Sequence, residues 1–135
     1  MIRRHQDLPL GIKCLAVFLG LGSLISLTAC LSLFFPESPL ARMWRLNPRA
    51  YTDLIRLGYW SVLILAPVSF LCATASIGLW RRDKWGYYIA VTLITINLLG
   101  DITNVALATE PRAVVGIPIA ALILLYLLRK STLNL

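Results

Sequence analysis

The sequence predicts an all-α fold: a four-helix transmembrane bundle with a short interfacial amphipathic helix between helices one and two. Three observations predict it. Of the 135 residues, 59% are hydrophobic and only 14% charged, where a soluble domain carries about a quarter of its residues as charges. Four apolar stretches approach the ~20 residues that a ~30 Å hydrocarbon core requires. Basic residues gather at one set of stretch ends. This composition excludes a disordered tail, a collagen-like fibre and an ordinary cytosolic enzyme domain.

The first stretch, 14–35, holds no charge, and the second is 57–80. The third, 87–108, carries one acid, Asp101, and the fourth, 113–128, is a little short. Together they leave no soluble domain, so residues 1–135 read as one integral membrane domain of antiparallel helices. If both ends share a side, that side holds Arg3, Arg4, Lys13, Arg81, Arg82, Lys84, Arg129 and Lys130. The other holds Arg42, Arg45, Arg49, Arg56 and Arg112. Eight against five places both termini in the cytoplasm. Trp80, Trp85, Tyr87, Tyr88 and Tyr126 would sit at the inner interface, and Tyr51, Tyr59 and Trp60 near the outer one, where amphipathic rings favour the headgroups.

Residues 1–30 also resemble a lipoprotein signal, with a basic start, an apolar run and then Leu27-Thr28-Ala29-Cys30. The apolar run continues through Leu31, Leu33, Phe34 and Phe35, so an uncleaved helix is expected.

Between the first two spans, Ser38-Pro39 and Asn47-Pro48 each read as a cap followed by a favoured first helical residue. They predict a short helix over 39–46 and a second helix beginning at Pro48, ahead of its apolar part. Leu40, Met43 and Trp44 share one face, and Arg42, Arg45 and Arg49 lie off it. Such a helix lies in the interface, with Arg42, Trp44, Arg45 and Arg49 meeting lipid.

Spans two and three join through Gly78-Leu79-Trp80-Arg81-Arg82-Asp83-Lys84-Trp85-Gly86-Tyr87-Tyr88, and the last span closes on Leu125-Tyr126-Leu127-Leu128-Arg129-Lys130. These two segments, about twenty residues, resemble the corresponding parts of small bacterial four-helix inner-membrane proteins of the uncharacterised DUF2127-type family. The resemblance implies the same fold and a multi-pass protein of the bacterial inner (plasma) membrane. It implies no activity.

The third span carries the most informative feature. Asn97, Asp101 and Asn104 recur at i, i+4 and i+7, one helix face. A carboxylate at mid-span costs ~2.5–3.5 kcal/mol on insertion scales, so it should face protein or water. Gly100 and Thr103 nearby would let a neighbour approach. Helical rise puts Asp101 roughly 15 Å below Pro111 and Arg56 about 9 Å below Ala50. The expected ion pair is therefore Arg56 with Asp101, flanked by Asn104 and Tyr59. Three readings of the stripe stay open: fixing of helix register, contact with a partner's transmembrane helix, and a hydrated pocket for a small ligand, ion or proton.

Gly22 with Ser26, Ser69 with Ala73, and Cys72 with Ser76 are small-residue pairs that permit close helix crossings. Pro67 and Pro118 favour kinks. Three cysteines without a C-x-x-C pattern and a single histidine, His5, give no disulfide scaffold, metal set or cofactor motif. No nucleophile stands with a base, and Asp101 has no second acid of separated pKa, so no catalytic residue is expected. The expected function is an accessory or assembly subunit of a membrane complex; the alternative is an oligomeric transporter or channel with a polar cavity around Asp101. The expected partners are membrane lipids, with other membrane subunits or self-association, and no nucleic acid.

Overall fold

A computed structural model describes residues 8–107 and 111–131, all-helical apart from turns. Arg3, Arg4, His5 and Ala108 lie outside the described residues. Helix α1 spans Leu10–Phe34, a 3-10 helix Pro39–Arg45, α2 Pro48–Leu57, α3 Tyr59–Arg81, α4 Lys84–Ala106 and α5 Ala113–Ser131. Three of them, α1, α3 and α4, are long and apolar enough to cross a membrane, whereas the apolar part of α5, Ala113–Arg129, is shorter.

The caps explain the boundaries. Pro9 accepts from the Ile12 and Lys13 amides, so α1 starts before its charge-free run. Phe35 leaves the helical region at φ −124° because Pro36 follows it. Cys30 is buried inside the uninterrupted α1. The Asn47 carboxamide accepts from the Ala50 amide at 3.2 Å and starts α2, as its pairing with Pro48 predicts. Ser38 takes the matching backbone position at the 3-10 helix, yet its buried hydroxyl has no hydrogen-bond partner among the described residues.

The second span departs from expectation. No single helix runs from Pro48 into the apolar segment. Gly58, at φ 55° and ψ −124°, breaks it into α2 and α3. Only glycine adopts that conformation readily, lacking a Cβ. The Leu54 and Ile55 carbonyls accept from the Gly58 amide, and the Ser61 hydroxyl donates to the Leu54 carbonyl, so the bend is fixed by hydrogen bonds.

Helix α1 packs on α3, α3 on α4, and α4 on α5. In lipid, apolar area alone does not drive helices together; close packing and hydrogen bonds do. Serines supply them along α1 and α3. Ser76 donates to the Ala16 carbonyl at 2.6 Å, and Ser26 to the Leu65 carbonyl at 3.1 Å. Between these, Ser23 donates to the Ser69 carbonyl at 2.9 Å and Ser69 to the Ser23 carbonyl at 3.0 Å. Ser26, Ser69 and Ser76 thus belong to the crossing, as their small-residue spacing suggests, whereas Gly22 meets nothing within 4 Å.

The α3–α4 hairpin closes on glycine against glycine. A Cβ at either Gly78 or Gly86 would strike backbone of the other. Arg82 takes the left-handed conformation at φ 62°, its amide donating to the Leu79 carbonyl and the Asp83 amide to the Gly78 carbonyl. This is a Schellman cap with arginine where glycine is usual. The core lies at this end: Ile12, Ala16, Leu19, Ala75, Leu79, Tyr87, Ala90, Ile94 and Leu127 are all buried. The Tyr87 hydroxyl donates to the Leu127 carbonyl at 3.0 Å and ties α5 to α4.

Candidate functional site

The polar stripe continues the buried face of α4. Gly86, Ala90, Ile94, Asn97, Asp101 and Asn104 fall within an arc of about 80° at 100° per residue. Ala90 and Ile94 are 0% and 7% exposed. Asn97 and Asn104, on the same arc, are exposed, and Asp101 is half-buried. Helix α3 behaves in parallel. Ile64, Val68, Leu71, Ala75 and Gly78 recur at spacings of four and three, one face of a helix. Ala75 and Gly78 are buried, whereas Leu71, Val68 and Ile64 are 39%, 38% and 52% exposed. The two faces meet at the glycines and are both uncovered further from the hairpin. The uncovered part presents aliphatic side chains from α3 and amides and a carboxylate from α4.

Asp101 has a neighbour other than the expected one. A Cβ at Gly116 of α5 would overlap its carboxylate oxygen Oδ2, so the side chain lies where Gly116 leaves room. Its helix–helix contact is therefore with α5. The expected pair with Arg56 is not formed: among the described residues, neither side chain has a hydrogen bond or an ion pair. Arg56 is exposed on α2, which packs on α3 and the 3-10 helix. The physical reason is the bend at Gly58. The bend separates Arg56, on α2, from α3, the helix that packs on α4. Gly100, expected to admit a neighbour, faces open space.

The polar side chains of α4 divide into two kinds. Thr92, Thr95 and Thr103 donate to the carbonyls of Tyr88, Val91 and Leu99 at 2.9, 2.8 and 2.8 Å. They satisfy themselves within the helix and can face lipid cheaply. Asn97, Asp101 and Asn104 have no hydrogen-bond partner among the described residues. Polar groups left unpaired in hydrocarbon cost several kcal/mol each, on the order that drives association.

The outer connection also differs from its sequence reading. Trp44, expected to meet lipid, is buried at 9% exposure. Its indole N–H donates to Ser32 Oγ at 2.8 Å, and its ring stacks near Tyr51 at 5.3 Å between centroids. A 3-10 turn, with about three residues per turn, rolls Trp44 onto α1. Arg42, Arg45 and Arg49 are exposed, consistent with the polar side expected for them. Helix α2 itself sorts its residues: Arg49, Thr52, Asp53 and Arg56 at i, i+3, i+4 and i+7 on one face, with Ala50, Tyr51, Leu54 and Ile55 opposite. None of its residues is buried.

Gly58, Gly116 and Ser23 were the structural residues that spacing alone did not single out. Gly58 carried a signal, a glycine between a charged decapeptide and an apolar run. Gly116 carried one only in combination with Asp101. Among the described residues, no three His, Cys, Asp or Glu side chains come together to hold a metal ion. The chain matches no family model, and no curated protein or solved structure is similar to it.

Proposed function

We propose that this protein is a four-span subunit of the bacterial inner membrane, with both termini cytoplasmic, and that it serves assembly by offering the uncovered α3–α4 face to a partner's transmembrane helix. One observation carries the reading: Asn97 and Asn104, without hydrogen-bond partners among the described residues, stand exposed on the very arc that buries Ala90 and Ile94. A helix laid there would cover Ile64, Val68 and Leu71 and supply hydrogen bonds to the asparagines.

Helix α5 supports a fourth crossing. Its apolar part rises about 26 Å, near the ~30 Å thickness of the core. It is held to α4 at both ends, by Asp101 beside Gly116 and Tyr87 bonded to Leu127. The basic excess at the hairpin end supports the orientation, and the two-faced α2 supports an interfacial helix.

Purification in a mild detergent, with identification of co-migrating chains, tests the proposal. A second polypeptide at fixed stoichiometry is the expected result, lost on Asn97→Leu with Asn104→Leu. A monodisperse single chain at every detergent strength contradicts it. Asp101 favours a second reading, an oligomeric transporter or channel, because its half-buried carboxylate has no ion-pair partner among the described residues. In that case the co-migrating chains are copies of this one.

A further inference from the structure

The uncovered α3–α4 face carries a charge, and its depth and surroundings restrict which helix can lie there. Asp101 stands about 22 Å along α4 from Gly86 at the hairpin and about 8 Å from the end of the helix at Ala106. This places it inside the apolar span, nearer the end away from the hairpin. Its carboxylate is half-buried beside Gly116 and has no ion pair or hydrogen bond among the described residues. Neutral donors and acceptors can satisfy the exposed amides of Asn97 and Asn104. A carboxylate in hydrocarbon is satisfied best by a cation, which answers its charge and its hydrogen bonds together.

The chain itself does not supply that cation. Helices α1, α3, α4 and α5 hold Lys13, Arg81, Lys84, Arg129 and Lys130, all at their hairpin ends. Arg56 stands on α2, beyond the bend. Arg112, one helical turn before Gly116, is exposed and makes no ion pair or hydrogen bond among the described residues. A second copy in the same orientation carries these cations at these same levels, so its spans offer none at the depth of Asp101. Resting on the reading that this face receives a helix, we infer that the occupant is a transmembrane helix of a different polypeptide, with one arginine or lysine level with Asp101. That cation lies about five residues in from the helix end away from the hairpin. It pairs with Asp101, while polar groups a turn above and below it meet Asn97 and Asn104.

Binding of labelled single-span peptides to the full chain in phosphatidylcholine vesicles, read by energy transfer, tests the inference. The probes are leucine–alanine helices that differ only at the position level with Asp101, which holds arginine, glutamine or leucine. The wild-type chain is expected to bind the arginine peptide several-fold more tightly than the leucine peptide, with glutamine between them. Asp101→Asn keeps the side chain's shape beside Gly116 and should make the arginine and glutamine peptides about equal. Arg112→Gln should leave the arginine preference unchanged. Equal binding of the arginine and leucine peptides by the wild type, weakened by Asn97→Leu with Asn104→Leu, overturns the charge pairing and leaves the receiving face intact. Binding of no peptide overturns both. An arginine preference that survives Asp101→Asn also overturns the inference. So does one that emerges only in Arg112→Gln, which would make Arg112 the counter-ion.

Discussion

The carboxylate of Asp101 lies in the volume that Gly116 leaves empty on α5. This relationship between an acid and a glycine on neighbouring helices sets the position of the stripe. With α5 behind it, Asp101 is half-buried, while Asn97 and Asn104, one turn to either side, stay exposed. Gly116→Ala should therefore displace the carboxylate. Overpacking of this kind costs typically 1–3 kcal/mol, more than alanine's helix propensity returns. The check is reversible unfolding in mixed micelles, with Gly22→Ala as reference. Gly22 meets nothing within 4 Å, so that variant should be neutral or stabilising.

The hairpin offers a stricter steric test. Gly78 and Gly86 approach backbone to backbone, so no flexible side chain can move aside for a Cβ. Alanine at either position should separate α3 from α4 at the core and lower the thermal midpoint of the solubilised protein by several degrees or more. A midpoint unchanged in both variants would show that the helices do not meet there.

The reciprocal bonds of Ser23 and Ser69 predict a contact and an energy. In a chain with Cys14, Cys30 and Cys72 replaced by alanine, cysteines at 23 and 69 should cross-link on oxidation, since the hydroxyls are 3.4 Å apart. Removal of both hydroxyls by Ser23→Ala and Ser69→Ala should cost about 1 kcal/mol, at ~0.6 kcal/mol for an interhelical hydrogen bond in a membrane protein.

Trp44 gives a fourth prediction. Trp44→Phe keeps an aromatic ring but deletes the bond to Ser32 and part of the buried indole, for a cost of at least about 0.5–1.5 kcal/mol from the hydrogen bond alone. Emission from Trp44, in a chain whose other tryptophans are phenylalanine, should be that of a shielded indole and resist aqueous quenchers. Free quenching would return Trp44 to the exposed surface.

Apolar length and caps made most of the helical layout legible in the sequence. The 14–35 run, the Asn47-Pro48 start and the basic turn at Arg81–Lys84 all fall where α1, α2 and the hairpin are found. The bend at Gly58 left only a weak trace in the sequence, a glycine between the charged decapeptide and the apolar run, and the backbone angle that makes the break is not read from composition. It misled the pairing of Arg56 with Asp101, which assumed a straight helix. Trp44 was misread for a related reason: an α-helical wheel assigns faces at 100° per residue, and a 3-10 helix turns by about 120°. The stripe was legible from spacing alone. Its exposure was not, since the face that carries it is buried nearer the hairpin.

The central claim is that this uncovered face receives a helix from another polypeptide. Site-specific photocross-linking in native membranes tests it most directly, with the reactive side chain placed at Asn97, at Asn104 and, for reference, at Phe18, which is 60% exposed on α1. A discrete adduct with one other protein chain is expected from positions 97 and 104, and lipid adducts alone from 18. Lipid adducts alone from all three positions would contradict it.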